Sequence, residues 1–326
     1  MDWVPPSDPA FFFLYRGDFD PSMTSELIFV GLGLSGTDGM TVKALNALRE
    51  CDKIYAEFYT SMLIGTKPED LEAVLGKKIK VLYRAQVEEC DDIIKDAMEM
   101  RVGFITAGDT MSATTHVDLR IQAAEAGIPV RMFHGISIFA AAPTSLGLQH
   151  YKFGRTVTLP FIEDNYHPKS PYDHIKENKD RGLHTMILLD IRADELRYMT
   201  AHQAIEWLLL GESKWGEGLI DDKTLICVAS KVGSPEEKVF AGYPQDLLKM
   251  DLGEPLQTLV LPGRLHFMEA FALVKFAGAP EEIIEDECRS SQTSSNYFHP
   301  VLQSVFSIPV KFLYNVFVDI YCKSIN

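Results

Sequence analysis

The sequence predicts a two-domain α/β protein, and three observations carry that prediction. Short apolar runs rich in β-branched and aromatic residues alternate with helical patterns five times between Leu27 and Gly135, which is the βαβ rhythm of a mostly parallel sheet covered on both faces. At 326 residues and 46% hydrophobic content, the chain is long enough for two cores of ordinary size. From Thr156 onward the α/β composition repeats with a different grain, which marks a second domain.

Taken in order, Leu27–Val30 reads as the first strand and breaks at Gly31-Leu32-Gly33-Leu34. Thr41 is placed to cap a helix in which Val42, Leu45 and Leu48 recur at three-residue spacing,. Lys53–Phe58 is a second strand, followed by the loop Tyr59-Thr60-Ser61. Pro68 at a first turn and Gly76 at a stop bracket a helix with Leu71, Val74 and Leu75 on one face,. Ile79–Leu82 is a third strand, and Val87–Met100 an acidic amphipathic helix. Val102, Phe104 and Ile105 form a buried fourth strand, stopped by Ala107-Gly108,. A helix Val117–Ala126, ended by Gly127, and a strand Val130–Phe133, ending in His134-Gly135, complete the first rhythm. Ile136–Leu146 then turns small-residue-rich, as expected of a helix that packs closely or bridges two domains.

In the second half the strands are Thr156–Phe161, Thr185–Leu189, Leu225–Ala229 and Gln257–Leu261. Helices are expected at Tyr172–Asp180, at Gln203–Leu210 and at Phe267–Phe276, the last stopped by Gly278. The boundaries that follow are an extension over 1–25, a first domain over 26–146, a second over 147–286 and a further extension over 287–326. Val301–Cys322 is rich in Val, Phe, Ile and Tyr. Pro309, Lys311, Asn315 and Asp319 interrupt it, so it reads as an amphipathic segment, since a membrane span needs about 20 largely apolar residues.

Charge and cysteine usage narrow the function. A net charge of −15 repels phosphate backbones and argues against nucleic-acid binding,. The five cysteines are scattered, with no CxxC and no Cys/His cluster at metal-ligand spacing, which suits a reducing, cytoplasmic setting and disfavours structural zinc or a disulfide framework,. The first residues lack a basic n-region, so no secretory signal is expected,.

The stretch with most chemistry is Gly108–His116, GDTMSATTH. Asp109, Thr110, Ser112, Thr114 and Thr115 crowd oxygen-bearing side chains at the carboxyl end of a buried strand, where open α/β sheets bind ligands. A carboxylate there can accept hydrogen bonds or sit near a cationic ligand. The plainer reading is a tight turn at Gly108-Asp109 with Thr115 as a helix cap. A dinucleotide fingerprint at Gly31–Gly36 fails on position, because the loop runs on to Gly39 before a helix opens,.

With these pieces in place the sequence resembles the diphthine synthase family, within the tetrapyrrole-methylase-like, class III methyltransferases that use S-adenosyl-L-methionine. The resemblance rests on VGLGL (30–34), YAEFYTS (55–61), GDTMSATTH (108–116), HGIS (134–137), YKFG (151–154), GLHTMILLDI (182–191) and PGRLHFMEA (262–270). It implies a homodimer of two-domain subunits, with a mostly parallel first sheet and a mixed second one, and a folded S-adenosyl-L-methionine in the cleft between domains. Motif by motif, it implies a cofactor pocket of Leu34, Asp109, Ser112, Ser137, Ile138, Leu189, Ser230 and His266, with a one-residue ambiguity between Ser230 and Ala229. Thr110 stands where the family usually has proline.

The resemblance also implies the reaction. Successive methyl groups would pass to the amine of a 3-amino-3-carboxypropyl arm on a modified histidine of translation elongation factor 2, in diphthamide biosynthesis. Neither a metal nor a covalent nucleophile is needed. No general base is identified; Glu57, Tyr59 and Asp109 sit at strand ends, and solvent serves equally well. The link from Ile191 to Thr200 and the wording PGRLH look like archaeal members, which implies a trimethylated product rather than a methyl ester. Two alternatives remain open: a methyltransferase for a corrin precursor, and a non-catalytic nucleotide-binding domain.

Overall fold

The computed structural model describes residues 24–285, except 60, 62, 89–91 and 164–165. Expectations for residues 1–23 and 286–326, and for Thr60 and Cys90, lie outside the described residues.

The first sheet contains β1 (Glu26–Gly31), β2 (Lys53–Glu57), β3 (Ile79–Leu82), β4 (Arg101–Thr106) and β5 (Val130–Phe133). All are parallel, in the order β3-β2-β4-β1-β5. Alternation along β1 explains why its apolar run is unbroken. Ile28 and Val30 face one core with Ala44, Leu48 and Leu71, while Leu27 and Phe29 face another with Ile93, Phe104 and Leu119. A strand buried on both faces needs apolar side chains at every position.

The helices over this sheet are α1 (Val42–Glu50), α2 (Pro68–Leu75), α3 (Arg84–Glu88), α4 (Asp92–Glu99) and α5 (Val117–Glu125). Thr41 caps α1 as expected, its hydroxyl accepting from Ala44 N at 3.2 Å. The buried face is Ala44, Ala47 and Leu48, however, and Val42 is exposed, since it opens the first turn. Of the helix expected over Val87–Met100, the described parts are helical at Arg84–Glu88 and Asp92–Glu99, and residues 89–91 lie outside the described residues.

At the carboxyl ends of β1 and β4 the chain leaves in opposite directions, toward β2 on one side and β5 on the other. That divergence makes a topological switch point, and the glycine loops fill it. Gly33 and Gly108 exchange backbone hydrogen bonds of 3.2 and 2.7 Å. A Cβ on Gly31 would lie 2.5 Å from both the Gly108 carbonyl oxygen and the Gly135 nitrogen. Three strand ends therefore meet backbone to backbone.

The second sheet contains β6 (Val157–Leu159), β7 (Thr185–Leu189), β10 (Ile226–Ser230), β11 (Lys238–Gly242) and β12 (Gln257–Leu261), with a separate two-stranded hairpin of β8 (Ile191–Arg192) and β9 (Arg197–Tyr198) between them in sequence. Its order is β11-β10-β12-β7-β6, and β6–β7 is its parallel pair among antiparallel ones. Four helices accompany it: α6 (Ile138–Leu146), α7 (Ser170–Asp180), α8 (Ala201–Trp215) and α10 (Phe267–Ala277), with the short α9 (Pro244–Leu247) preceding α10. One face packs on α7 and α8 through Tyr172, Ile175, Trp207 and Leu208, the other on α6 and α10 through Ala142, Leu146, Ala270 and Leu273.

Helix α8 outruns its expected span because its ends are capped. Thr200 and Gln203 form a reciprocal capping box, and Gly216 ends it in the left-handed conformation,. The strand β11 and the β8–β9 hairpin carry no expectation from sequence: KVFAG is short and begins charged, and two-residue strands have no periodicity to read.

A buried carboxylate ties the far edge of this sheet. Glu269 accepts from the backbone of Gln149 (2.8 Å) and His266 (2.7 Å), from His184 Nε2 (3.1 Å) and from Lys152 Nζ. His184 Nδ1 accepts from Gly263 N, which fixes the proton on Nε2,. Burial alone would raise the Glu269 pKa; these donors outweigh it and hold the carboxyl at about 2,.

Candidate functional site

The strand ends of both sheets wall one cleft of about 280 Å³. From the first half come Leu34 after β1, Tyr59 after β2, Asp109 and Ser112 after β4, and Ser137 and Ile138 after β5. From the second come Leu188, Leu189 and Asp190 at the end of β7, Ala229 of β10 and Gln257 and Thr258 of β12. Leu34, Ile138 and Leu189 give it apolar walls, and Ser35 Oγ donates to the Gly233 carbonyl across the two halves.

Asp109 is 9% exposed. Its Oδ1 accepts from Met111 N at 3.1 Å and lies 3.5 Å from Ser112 Oγ, while its Oδ2 meets His134 Nδ1 at 2.8 Å. The tight turn expected at Gly108-Asp109 and a carboxylate lining the cleft are thus the same structure. Ala113, four residues after Asp109 on this wall, adopts φ 59°, a left-handed conformation that a non-glycine residue holds at a cost of about 1–2 kcal/mol,. Ser137 caps α6, its Oγ accepting from Phe139 N at 3.4 Å. In α5, which follows the Asp109 loop, His116 rather than Thr115 stands at the N-cap position, and its side chain makes no capping hydrogen bond.

Six of the eight residues expected to hold a cofactor line this one cleft: Leu34, Asp109, Ser112, Ser137, Ile138 and Leu189. Ser230 and His266 do not. Adjacent strand residues face opposite sides of a sheet, so Ala229 lines the cleft while Ser230 Oγ turns away to the Glu254 carbonyl at 3.0 Å. His266 lies past the opposite end of β12, where it caps α10 through Met268 N and lines a separate cavity with Lys152, Arg181 and Arg264.

Of the three polar residues considered as bases, Tyr59 and Asp109 line the cleft. Glu57 is fully buried instead, its Oε2 accepting from Tyr59 N at 3.1 Å and its Oε1 lying 3.4 Å from His116 Nε2. His116 Nδ1 donates to the Thr110 carbonyl at 2.9 Å, so the Asp109 loop is braced from beneath. Cleft-lining residues absent from the expected set include Arg84, Asp190 and Tyr198; His134, also absent from it, reaches the site only through Asp109. His134 stood in the HGIS motif at a strand end, which was its one signal. The thiols Cys51 and Cys227 are buried, and burial pushes Cys51 up to about 12 and raises Cys227 as well, so neither is a nucleophile. No metal-ligating cluster occurs among the described residues.

A second cavity, of about 960 Å³, opens outside the first. The two share Tyr59, Arg84, Asp190, Ile191 and Tyr198 as a common rim. The smaller cavity is termed the inner chamber and the larger one the vestibule.

A parallel sheet with glycine loops at its switch point, facing a mixed sheet across such a cleft, is the architecture of a methyltransferase class. The family model for tetrapyrrole (corrin/porphyrin) methylases matches residues 26–247. Curated relatives include the diphthine synthases of Methanosarcina mazei, 45% identical over 80% of this chain and 99% of that protein, and of Methanocaldococcus jannaschii, 48% identical over 76% and 97%. A crystal structure of diphthine synthase superposes with a TM-score of 0.73 at 34% identity, covering 80% of this chain and 99% of that one. The crystal structure of a putative diphthine synthase from Entamoeba histolytica gives 0.72 at 34%, covering 78% and 100%. The chain belongs to the diphthine synthase family of tetrapyrrole-methylase-like methyltransferases.

Proposed function

We propose that this methyltransferase binds S-adenosyl-L-methionine in the inner chamber and methylates the amine of a 3-amino-3-carboxypropyl arm on a histidine of translation elongation factor 2. The observation that carries the reading is the convergence of Leu34, Asp109, Ser112, Ser137, Ile138 and Leu189 on one cleft. The set fits the group: apolar walls for its base and sugar, hydroxyls and a carboxylate for its amino-acid end, and glycine-only junctions that leave backbone within reach. When bound, S-adenosyl-L-methionine supplies a methyl on a sulfonium, passed to a nitrogen lone pair while the carbon–sulfur electrons stay on sulfur.

The chain's own task is alignment and exclusion of water. Leu34, Ile138 and Leu189 keep the chamber dry, and Asp109, held by Met111 N and His134, presents a fixed negative charge on its wall. Each of the first two transfers leaves a proton on nitrogen that must depart before the next. Solvent reaches the vestibule and can take it. We infer a trimethylated product, and a homodimer on the strength of the family resemblance. A cytoplasmic setting agrees with the scattered cysteines and with the unpaired thiols Cys51 and Cys227,.

The test mixes the protein with S-adenosyl-L-methionine and elongation factor 2 bearing the unmethylated arm, then weighs the tryptic peptide. Three methyl increments, stable to mild base, are expected. An unchanged peptide beside a methylated corrin precursor overturns the reading.

A further inference from the structure

The rim between the two cavities carries two full charges of opposite sign, and they come from different halves of the chain. Arg84 opens α3 beside the end of the first sheet, and Asp190 follows β7 of the second. The Arg84 guanidinium carbon lies 5.2 Å from the centroid of the Tyr59 ring, itself a rim residue, so the cation is steered over the opening,. Asp190 accepts from Phe161 N at 3.1 Å and lies 3.8 Å from Arg192 Nε. Both contacts fall on Oδ2, which leaves Oδ1 as the oxygen available to a ligand at the rim. Tyr59 and Tyr198 complete the rim with aromatic faces.

The acceptor arm ends in an amino-acid head: a carboxylate and an amine on one carbon. We propose that Arg84 and Asp190 clamp that head, Arg84 taking the carboxylate and Asp190 accepting an N–H of the amine. This rests on the function proposed above. The guanidinium fork matches a carboxylate in two bonds, which fixes the arm's rotation as well as its depth. In the first two transfers, an N–H turned toward Asp190 points the nitrogen lone pair elsewhere, into the inner chamber. Each methyl added removes one N–H, and the fully methylated nitrogen has none left to donate. Asp190 therefore holds the protonated mono- and dimethyl intermediates by a hydrogen bond. The neutral dimethyl amine that takes the last methyl has no N–H, so Arg84 alone aligns that transfer, and the trimethylated product is held by charge alone, which favours release.

Asn at position 190 can still accept from Phe161 N, so Asp190→Asn separates this role from a structural one. The experiment uses the full chain and two acceptors: elongation factor 2 with the carboxylate arm, and the same protein with that carboxylate capped as an amide. Acceptor Kd is read by calorimetry with S-adenosylhomocysteine present, and KM and kcat by mass. Arg84→Met should weaken the carboxylate acceptor roughly ten- to a hundredfold, erase the preference for it over the amide, and shift cofactor Kd far less than acceptor Kd. Arg84→Lys should recover part of the loss. Asp190→Asn should lower kcat and weaken the acceptor with the unfolding midpoint preserved. If Arg84→Met keeps the carboxylate preference, or Asp190→Asn binds and turns over the acceptor as the unaltered enzyme does, the clamp is wrong. If the unaltered enzyme methylates no arm at all, the function proposed above falls, and the clamp with it.

Discussion

The His134 imidazole meets the Asp109 carboxylate at 2.8 Å, Nδ1 to Oδ2, and joins the loop after β5 to the loop after β4 at the wall of the cleft. The two partners differ in burial, since the His134 side chain is 72% exposed and that of Asp109 10%. Removing one is therefore not equivalent to removing the other.

Asp109→Ala takes away the fixed charge and should raise the Kd for S-adenosylmethionine about ten- to a hundredfold, the usual size of a charged hydrogen-bond loss. His134→Ala, an exposed partner, should change it by less than about threefold. Titration calorimetry on both variants checks the order; equal losses would mean that the histidine itself contacts the ligand.

The glycine junction separates clash from strain. A methyl at Gly135 would sit 2.1 Å from the Gly108 carbonyl oxygen, so Gly135→Ala must push two loops apart, losing about 1–3 kcal/mol and most cofactor uptake,. Gly108 has φ +69° and nothing within 4 Å of an added methyl. Gly108→Ala should lose only the left-handed penalty of about 1–2 kcal/mol and still bind. Urea unfolding with parallel binding measurements tells the two apart.

Much of this was legible beforehand, for reasons visible in particular residues. The strands at Ile79–Leu82, Val130–Phe133, Thr185–Leu189 and Gln257–Leu261 match residue for residue, because each is an apolar run with a definite turn or polar segment beside it. Six site residues converge because they follow strands, and strand ends in this topology point one way. What sequence could not carry was rotation and distance. The choice between Ala229 and Ser230 depends on which face of β10 looks at the cleft, and both are small. His266 sits in a motif, yet its strand runs antiparallel to β7 and delivers it to the opposite edge. The rim residues Arg84 and Asp190 meet only through tertiary folding.

Ala229 gives a direct check on that rotation. Ala229→Leu should fill part of the inner chamber and abolish detectable cofactor binding while the fold survives. Ser230→Ala removes a hydrogen bond to Glu254, should destabilise by about 1 kcal/mol, and should leave cofactor affinity within twofold. The reverse pattern in calorimetry would place the serine in the chamber.

Glu269 sets an acid limit. Its folded pKa is depressed from 4.5 to about 2, so its stabilising effect is complete above about 4.5 and disappears as pH falls toward about 2,. Glu269→Gln leaves Lys152 beside a neutral group and should destabilise by about 3–5 kcal/mol at pH 7,. Unfolding measured across pH should show the two proteins converging through that window. A constant gap down to pH 2 would contradict the assignment.

The inner chamber draws its walls from two separate sheets, so whatever occupies it works as a rivet between them. Heat must expel the rivet before the halves can part, and by mass action a well-supplied cofactor lengthens the life of the folded chain. Starved of methionine, a cell would lose this enzyme's activity twice over, first from want of methyl groups and then from want of the protein itself.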